Sequence, residues 1–221
     1  MKAIQNCNFN VMAIKSHDRV YFTNQIAVKD KLVDAERITR LHTISKNVFC
    51  VAAGYNPDIN NIIRRIRYEA VNYKNDYGYE APVDVIALKV ADIFQLNTQR
   101  ASESVRPSAV TLIIFGIDKH DGPLIYRVDP SGYYVGMKAA VAGSKEYDGT
   151  AKLEEYYKNK KETPNYEDAE YCCTSNLLYI QGGEATTADF EMGYVDANGL
   201  HMYNDAEQMQ AMERAHNRSD V

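Results

Sequence analysis

The sequence contains no tryptophan and only four cysteines among its 221 residues. The missing tryptophan, set against seventeen tyrosines, carries no functional inference. The cysteines do. Cys7 and Cys50 are isolated and Cys172 and Cys173 adjacent, so neither a disulfide framework nor a CxxC metal site is present. Reduced thiols are expected, and with them a cytoplasmic or nuclear location. Long apolar runs are also missing. None approaches the ~18–20 residues that span a bilayer. The start, "MKAIQNCNFN", lacks the apolar core of a signal peptide. No membrane partner is expected. Nor is there a surplus of base. Lys and Arg number 25 against 30 Asp and Glu, giving a net charge of -5. Phosphate backbones need cations to neutralise them, so nucleic acid is an unfavourable partner. The runs "RRIR" (64–67) and "KNKKE" (158–162) read instead as a solvated or subunit-contacting helix face and as a charged helix end.

Several chemical motifs are absent as well. A phosphate-cradling loop needs GxxxxGK before Ser or Thr, whereas "DPSGYYVGMKAAVAGSK" (129–145) has Gly132 and Gly136 at another spacing, followed by Met137. That stretch reads as a turn over Asp129–Gly132 and then strands, with Gly136 admitting a close neighbour. The dinucleotide pattern GxGxxG is missing, as is the GxSxG elbow of serine hydrolases. His17, His42, His120, His201 and His216 show no metal-ligand spacing. No cofactor and no metal are expected.

What is present is a periodic pattern that changes twice. Strand-like segments open the chain: "NVMAIK" (10–15), "RVYFTNQIAV" (19–28), "ITRLHTI" (38–44) and "NVFCVAAG" (47–54), rich in β-branched and aromatic residues. The spacing of Ile59, Ile62, Ile63, Ile66, Ala70 and Tyr73 then predicts a helix, with Asn56 as its cap, Pro57 in the first helical position and Gly78 closing it. A second helix is expected from Pro82. Ile86, Val90, Ile93 and Asn97 form its stripe, and Val85, Leu88 and Leu96 widen it, so burial on more than one side is expected. Strands return at 109–118, 123–129 and 133–143. Helices follow near 145–160 and 165–180, the second carrying Ala169, Cys172, Cys173 and Leu177. A hairpin turning at Asn198–Gly199 and a helix capped by Asn204 complete the chain. Helices come in pairs between runs of strands, which disfavours a doubly wound parallel sheet and favours antiparallel sheets covered by helices. No linker or low-complexity tract interrupts residues 1–221, so one domain is expected.

Taken together, "RPSAVTLIIFGID", "GPLIYRVDPSGYYVGMKAAVAGSK", "DKLVD", "GYEAPVDVIALKVADIFQLNTQ" and "AKLEEYY" resemble the proteasome α-ring subunits, from about residue 1 to 205. The stretch "RRIRYEAVNYKNDYGYEAPVD" is similar to the type that fills the first position of the seven-membered ring. The resemblance implies an α+β fold, a four-layer αββα sandwich of the N-terminal nucleophile hydrolase class. It also implies work in a complex, with neighbouring α subunits, β-ring subunits, and regulatory-particle or activator tails as partners. Family members carry a helix and a gating tail before "KAI". The sequence begins almost at that motif, so weak ring assembly by this chain alone is expected.

The same resemblance locates the catalytic positions. Asn8 falls where the threonine nucleophile stands, Gln25 where the acid stands, and Arg40 where the tuning lysine stands. Glutamine carries no charge, and arginine does not exchange its proton at neutral pH. The expectation is a non-catalytic subunit. Two alternatives remain open. Removal of six residues would expose Cys7 as an N-terminal nucleophile, with its own amino group as base. A free-standing interaction protein of this fold is the other. Arg40 has two readings: binding the C-terminal carboxylate of an activator tail, or a structural ion pair with Glu36 or Asp34.

Overall fold

The computed structural model describes every residue except 1–3, 5, 8, 27–31, 35–37, 100–105, 161, 183–185 and 219–221. The expected Asn8 and Glu36 therefore lie outside the described residues, as do 27 and 28 of the second strand segment.

Among the described residues ten strands form two antiparallel sheets. β1 (Asn10–Lys15), β2 (Val20–Gln25), β8 (Ala139–Gly143), β9 (Phe190–Asp196) and β10 (Gly199–Met202) lie in the order β10-β9-β2-β1-β8. β3 (Leu41–Thr43), β4 (Val48–Gly54), β5 (Val110–Asp118), β6 (Gly122–Val128) and β7 (Tyr134–Gly136) follow chain order. Helices α1 (Asn56–Tyr77) and α2 (Val83–Gln99) cover the second sheet. Helices α3 (Glu146–Asn159), α4 (Tyr166–Gln181) and α5 (Asp205–Asn217) cover the first. The expected αββα sandwich is what forms.

Covered strands need apolar residues on both faces, which is why β4 and β5 read as unbroken runs rather than alternations. Phe49, Val51, Ile113 and Phe115 point between the sheets, while Val48, Cys50, Leu112 and Ile114 point at α1 and α2. In β1, Val11 and Ala13 face the second sheet, while Met12 and Ile14 face the other helical layer. Phe22 stacks on Phe115 across the inter-sheet space with centroids 5.4 Å apart.

The structure corrects several local expectations. Asn56 does not cap α1: Tyr55 occupies that position with no side-chain bond, and Asn56 is the first helical residue. Leu88 and Leu96 do not widen a buried face. Both are more than 40% exposed, at 43% and 44%, and Val83, Ala87, Ala91 and Phe94 fill that role. Residues 133–143 are two strands in different sheets, because the chain crosses the sandwich at Met137–Lys138. In the last hairpin Asp196 pairs with Gly199, so the two-residue loop is Ala197–Asn198. Asp196 Oδ1 accepts from the amides of Asn198 and Gly199, at 2.7 and 3.2 Å. The expected Asn204 cap does form, as a reciprocal capping box with Glu207.

Candidate functional site

β1 leaves, β2 ends, β4 ends and β5 begins at one end of the sandwich. The hairpin register sets Asn10 beside Gln25, and Asn10 Nδ2 donates to Gln25 Oε1 at 2.9 Å. Asn10 Oδ1 accepts from the Lys145 amide at 2.8 Å and from Ser144 Oγ at 3.3 Å. β8 must pass close to make these bonds. Gly143 has φ 135°, and a Cβ there would lie 2.0 Å from the Phe9 carbonyl oxygen, so only glycine fits.

Arg40 stands just before β3 and is 3% exposed. Its guanidinium lies 3.7 Å from the centroid of Phe9 and donates from Nη1 to Asn56 Oδ1 at 2.6 Å. Burial pulls Arg40 below its usual range, and the nearby Cys7 acts in the opposite direction. A guanidinium remains charged at neutral pH all the same. Asp34, one of the two carboxylates considered for Arg40, is exposed.

A second polar cluster completes this end. Asn24, fully buried, donates from Nδ2 to Glu191 Oε2 at 2.5 Å, and Thr39 Oγ1 donates to the same oxygen at 2.7 Å. Lys145, whose backbone amide bonds Asn10, donates from Nζ to the Ile180 carbonyl at 2.5 Å and so is tied to the end of α4. Cys7 is half-buried, and its amide donates to the Ile4 carbonyl at 3.1 Å. Ile4 is 4% exposed and packs into the core between the sheets. Cleavage before Cys7 would remove that plug.

The end thus brings Gln25 and Arg40 to the same region, but not as an acid and a proton-exchanging base. Gln25 is spent on Asn10, and Arg40 on Phe9 and Asn56. Sequence reasoning missed Asn10, Asn24 and Asn56. The first two carried a signal: amides inside otherwise apolar strands, where burial demands a partner. Asp58, an acid in the first turn of α1, does more than suit the helix end: it accepts from the Ala109 amide at 2.9 Å and pairs with Arg106 at 2.6 Å, pinning α1 to the start of β5. Among the described residues no group of three or more His, Cys, Asp or Glu is arranged to hold a metal.

The profile of the proteasome subunit family matches residues 10–193. Proteasome subunit alpha type-6 of Caenorhabditis elegans is 37% identical over 169 residues, covering 76% of this chain and 68% of that protein. Proteasome subunit alpha type-3 of Dictyostelium discoideum is 31% identical over 210 residues, covering 90% and 79%. Probable proteasome subunit alpha type-1 of Schizosaccharomyces pombe is 29% identical, covering 88% and 79%. With a sandwich of the expected layers, and a matched span that includes all of the second sheet, most of the first and four of the five described α-helices, the chain belongs to the proteasome subunit family, among its α-type members.

Proposed function

We propose that the chain is a non-catalytic structural subunit of the outer α ring of the 20S proteasome. There it supports core-particle assembly, substrate admission and activator docking in ubiquitin-dependent protein degradation. One observation carries the non-catalytic reading. At the two catalytic positions among the described residues, Gln25 is neutral and bonded to Asn10, and Arg40 is enclosed by Phe9 and Asn56. An N-terminal nucleophile enzyme needs a base of tunable pKa and an acid at these places. The Cys7 alternative would also sacrifice the buried Ile4.

The α1–α2 layer supports work in a complex. It exposes the aliphatic side chains Val71 (55%), Leu88 and Leu96 beside Tyr68 and Tyr77, while the exposed large hydrophobic residues of the opposite helices, Tyr147, Tyr166, Tyr179 and Met209, include no branched aliphatic. Aliphatic exposure on one layer suits a subunit contact. We assign that layer to the contact with β-ring subunits and the flanks of the sandwich to neighbouring α subunits. The 37% identity to an alpha type-6 subunit supports the matching position in the ring. Reduced, dispersed cysteines support a cytoplasmic and nuclear location. For Arg40, burial favours a structural pin over a site for activator tails. Leu88→Asp with Leu96→Asp should abolish copurification of β subunits while leaving the melting of the isolated chain nearly unchanged. Full copurification would remove the assignment of this layer.

A further inference from the structure

Apart from the amide-lined end lies a cavity of about 650 Å³. The first turns of α4, the last turns of α5, the start of β2 and strand β9 enclose it. It shares no lining residue with the Asn10, Gln25 and Arg40 cluster. The geometry points to a binding site for an aromatic ring that carries a phosphate, supplied either as a phosphotyrosine side chain or as a nucleoside monophosphate.

The walls argue for the ring. Five of the twelve lining residues are tyrosines, and Ala211 is the single aliphatic side chain among them all. Tyr194 and Tyr203 meet edge to face, 6.1 Å apart at 83°. Tyr166 stands at the mouth, 55% exposed. Such surfaces favour a flat π system through stacked and edge contacts, and offer little to an alkyl chain.

The rim argues for the phosphate. Arg214 and Arg218 sit one turn apart on and just after α5, with side chains 61% and 43% exposed. Arg214 donates one N–H to Glu170 at 2.6 Å, and Arg218 one to Asp168 at 2.6 Å. A guanidinium has five N–H donors in a planar fork, so each retains donors for a tetrahedral anion. Arg19 adds a third guanidinium, 4.7 Å from the Tyr194 centroid and paired with Asp18 at 3.2 Å. A cationic ligand is disfavoured. Both oxygens of Glu170 are already engaged, by the Tyr203 hydroxyl at 2.6 Å and by Arg214. A cation would meet three guanidinium groups, and the other lining carboxylate, Glu167, is exposed and already accepts from the Tyr166 hydroxyl at 3.2 Å. The volume suits a ring plus phosphate and is within the common range for small-molecule sites.

The test is calorimetric titration of the purified chain with O-phosphotyrosine and with adenosine monophosphate. Inorganic phosphate and phenol serve as the separate halves. At least one aromatic phosphate should bind saturably with a Kd below ~1 mM, and each half at least ~10-fold more weakly. The tighter of the two identifies the source as peptide or nucleotide. Arg218→Gln, whose partner Asp168 keeps Lys160 at 3.0 Å, should weaken binding about 10-fold by removing one bidentate fork. Tyr166→Ala, at an exposed position, should weaken it several-fold. Absence of saturable binding up to ~10 mM overturns the inference, as does inorganic phosphate binding as tightly as the aromatic phosphates. Undiminished binding by a folded Arg218→Gln chain overturns it too.

Discussion

Replacing Arg40 with alanine should destabilise the chain by about 2–4 kcal/mol, the usual range for truncating a large buried side chain that satisfies a buried partner. A desolvated cation on an aromatic face contributes roughly 2 kcal/mol, here through Phe9. A hydrogen bond from a charged donor contributes about 1.5–3 kcal/mol, here to Asn56 Oδ1. Against these stands the desolvation of the guanidinium, a cost of several kcal/mol that the alanine chain no longer carries. Alanine also leaves Asn56 Oδ1 without its donor and opens space beside Phe9. Arg40→Met separates the terms. It keeps the apolar stem and gives up the charge, so its loss should be smaller, under about 2 kcal/mol. Urea unfolding followed by far-ultraviolet circular dichroism measures both, and a double-mutant cycle with Asn56→Ala isolates the bond. The same variant discriminates the two roles of Arg40. A structural pin leaves activator affinity of the assembled particle unchanged. A loss of stability below about 1 kcal/mol together with lost activator binding would refute the reasoning and return Arg40 to the tail-binding role.

Gly143→Ala should cost at least ~3 kcal/mol, since it adds left-handed backbone strain to a collision with the Phe9 carbonyl. Gly199→Ala is its control: φ is 124° but no atom lies within 4 Å of the added carbon, so only the strain term of about 1–3 kcal/mol remains. Equal losses would show that the close approach of β8 is not as described. His42 makes stability depend on pH. Burial, with Arg67 and Arg40 adding to it, lowers the His42 imidazole from 6.5 to about 4, and its Nε2 has no hydrogen-bond partner among the described residues. Between those values the unfolded chain takes up a proton that the folded chain refuses. Stability should therefore be complete above pH ~6.5 and decline as pH falls towards ~4, by ~2 kcal/mol after allowing for the partial exposure of the ring. His42→Leu should flatten that window. Persistence of the full slope in the variant would assign it to other groups.

The sequence carried the layers well because their cause is local. Strand β1 falls on 10–15 as expected, and α1 spans 56–77, because burial periodicity and a Gly78 terminator are written into neighbouring residues. What escaped depends on partners far along the chain. Asn56 looked like a cap because asparagine usually caps, yet its oxygen serves Arg40, sixteen positions earlier. The change of sheet between β7 and β8 leaves no trace in an alternation of period two. Leu88 and Leu96 read as core because apolar residues on a helix normally face one. In an isolated chain they face outward, as residues of a subunit contact do. At the catalytic end, Gln25 and Arg40 were legible as substitutions, but the enclosure of a charged Arg40 was not, since arginine is rarely buried without a partner.

The claim that most needs testing is that this chain acts within a proteasome α ring and has no nucleophile of its own. Native mass spectrometry of the tagged chain, isolated with its complex from cells, reports partners and the mature N-terminus together. The account predicts a core-particle assembly containing proteasome β subunits, with the chain not processed to Cys7. Recovery of the chain without β subunits, or of a mature chain that begins at Cys7, would contradict it.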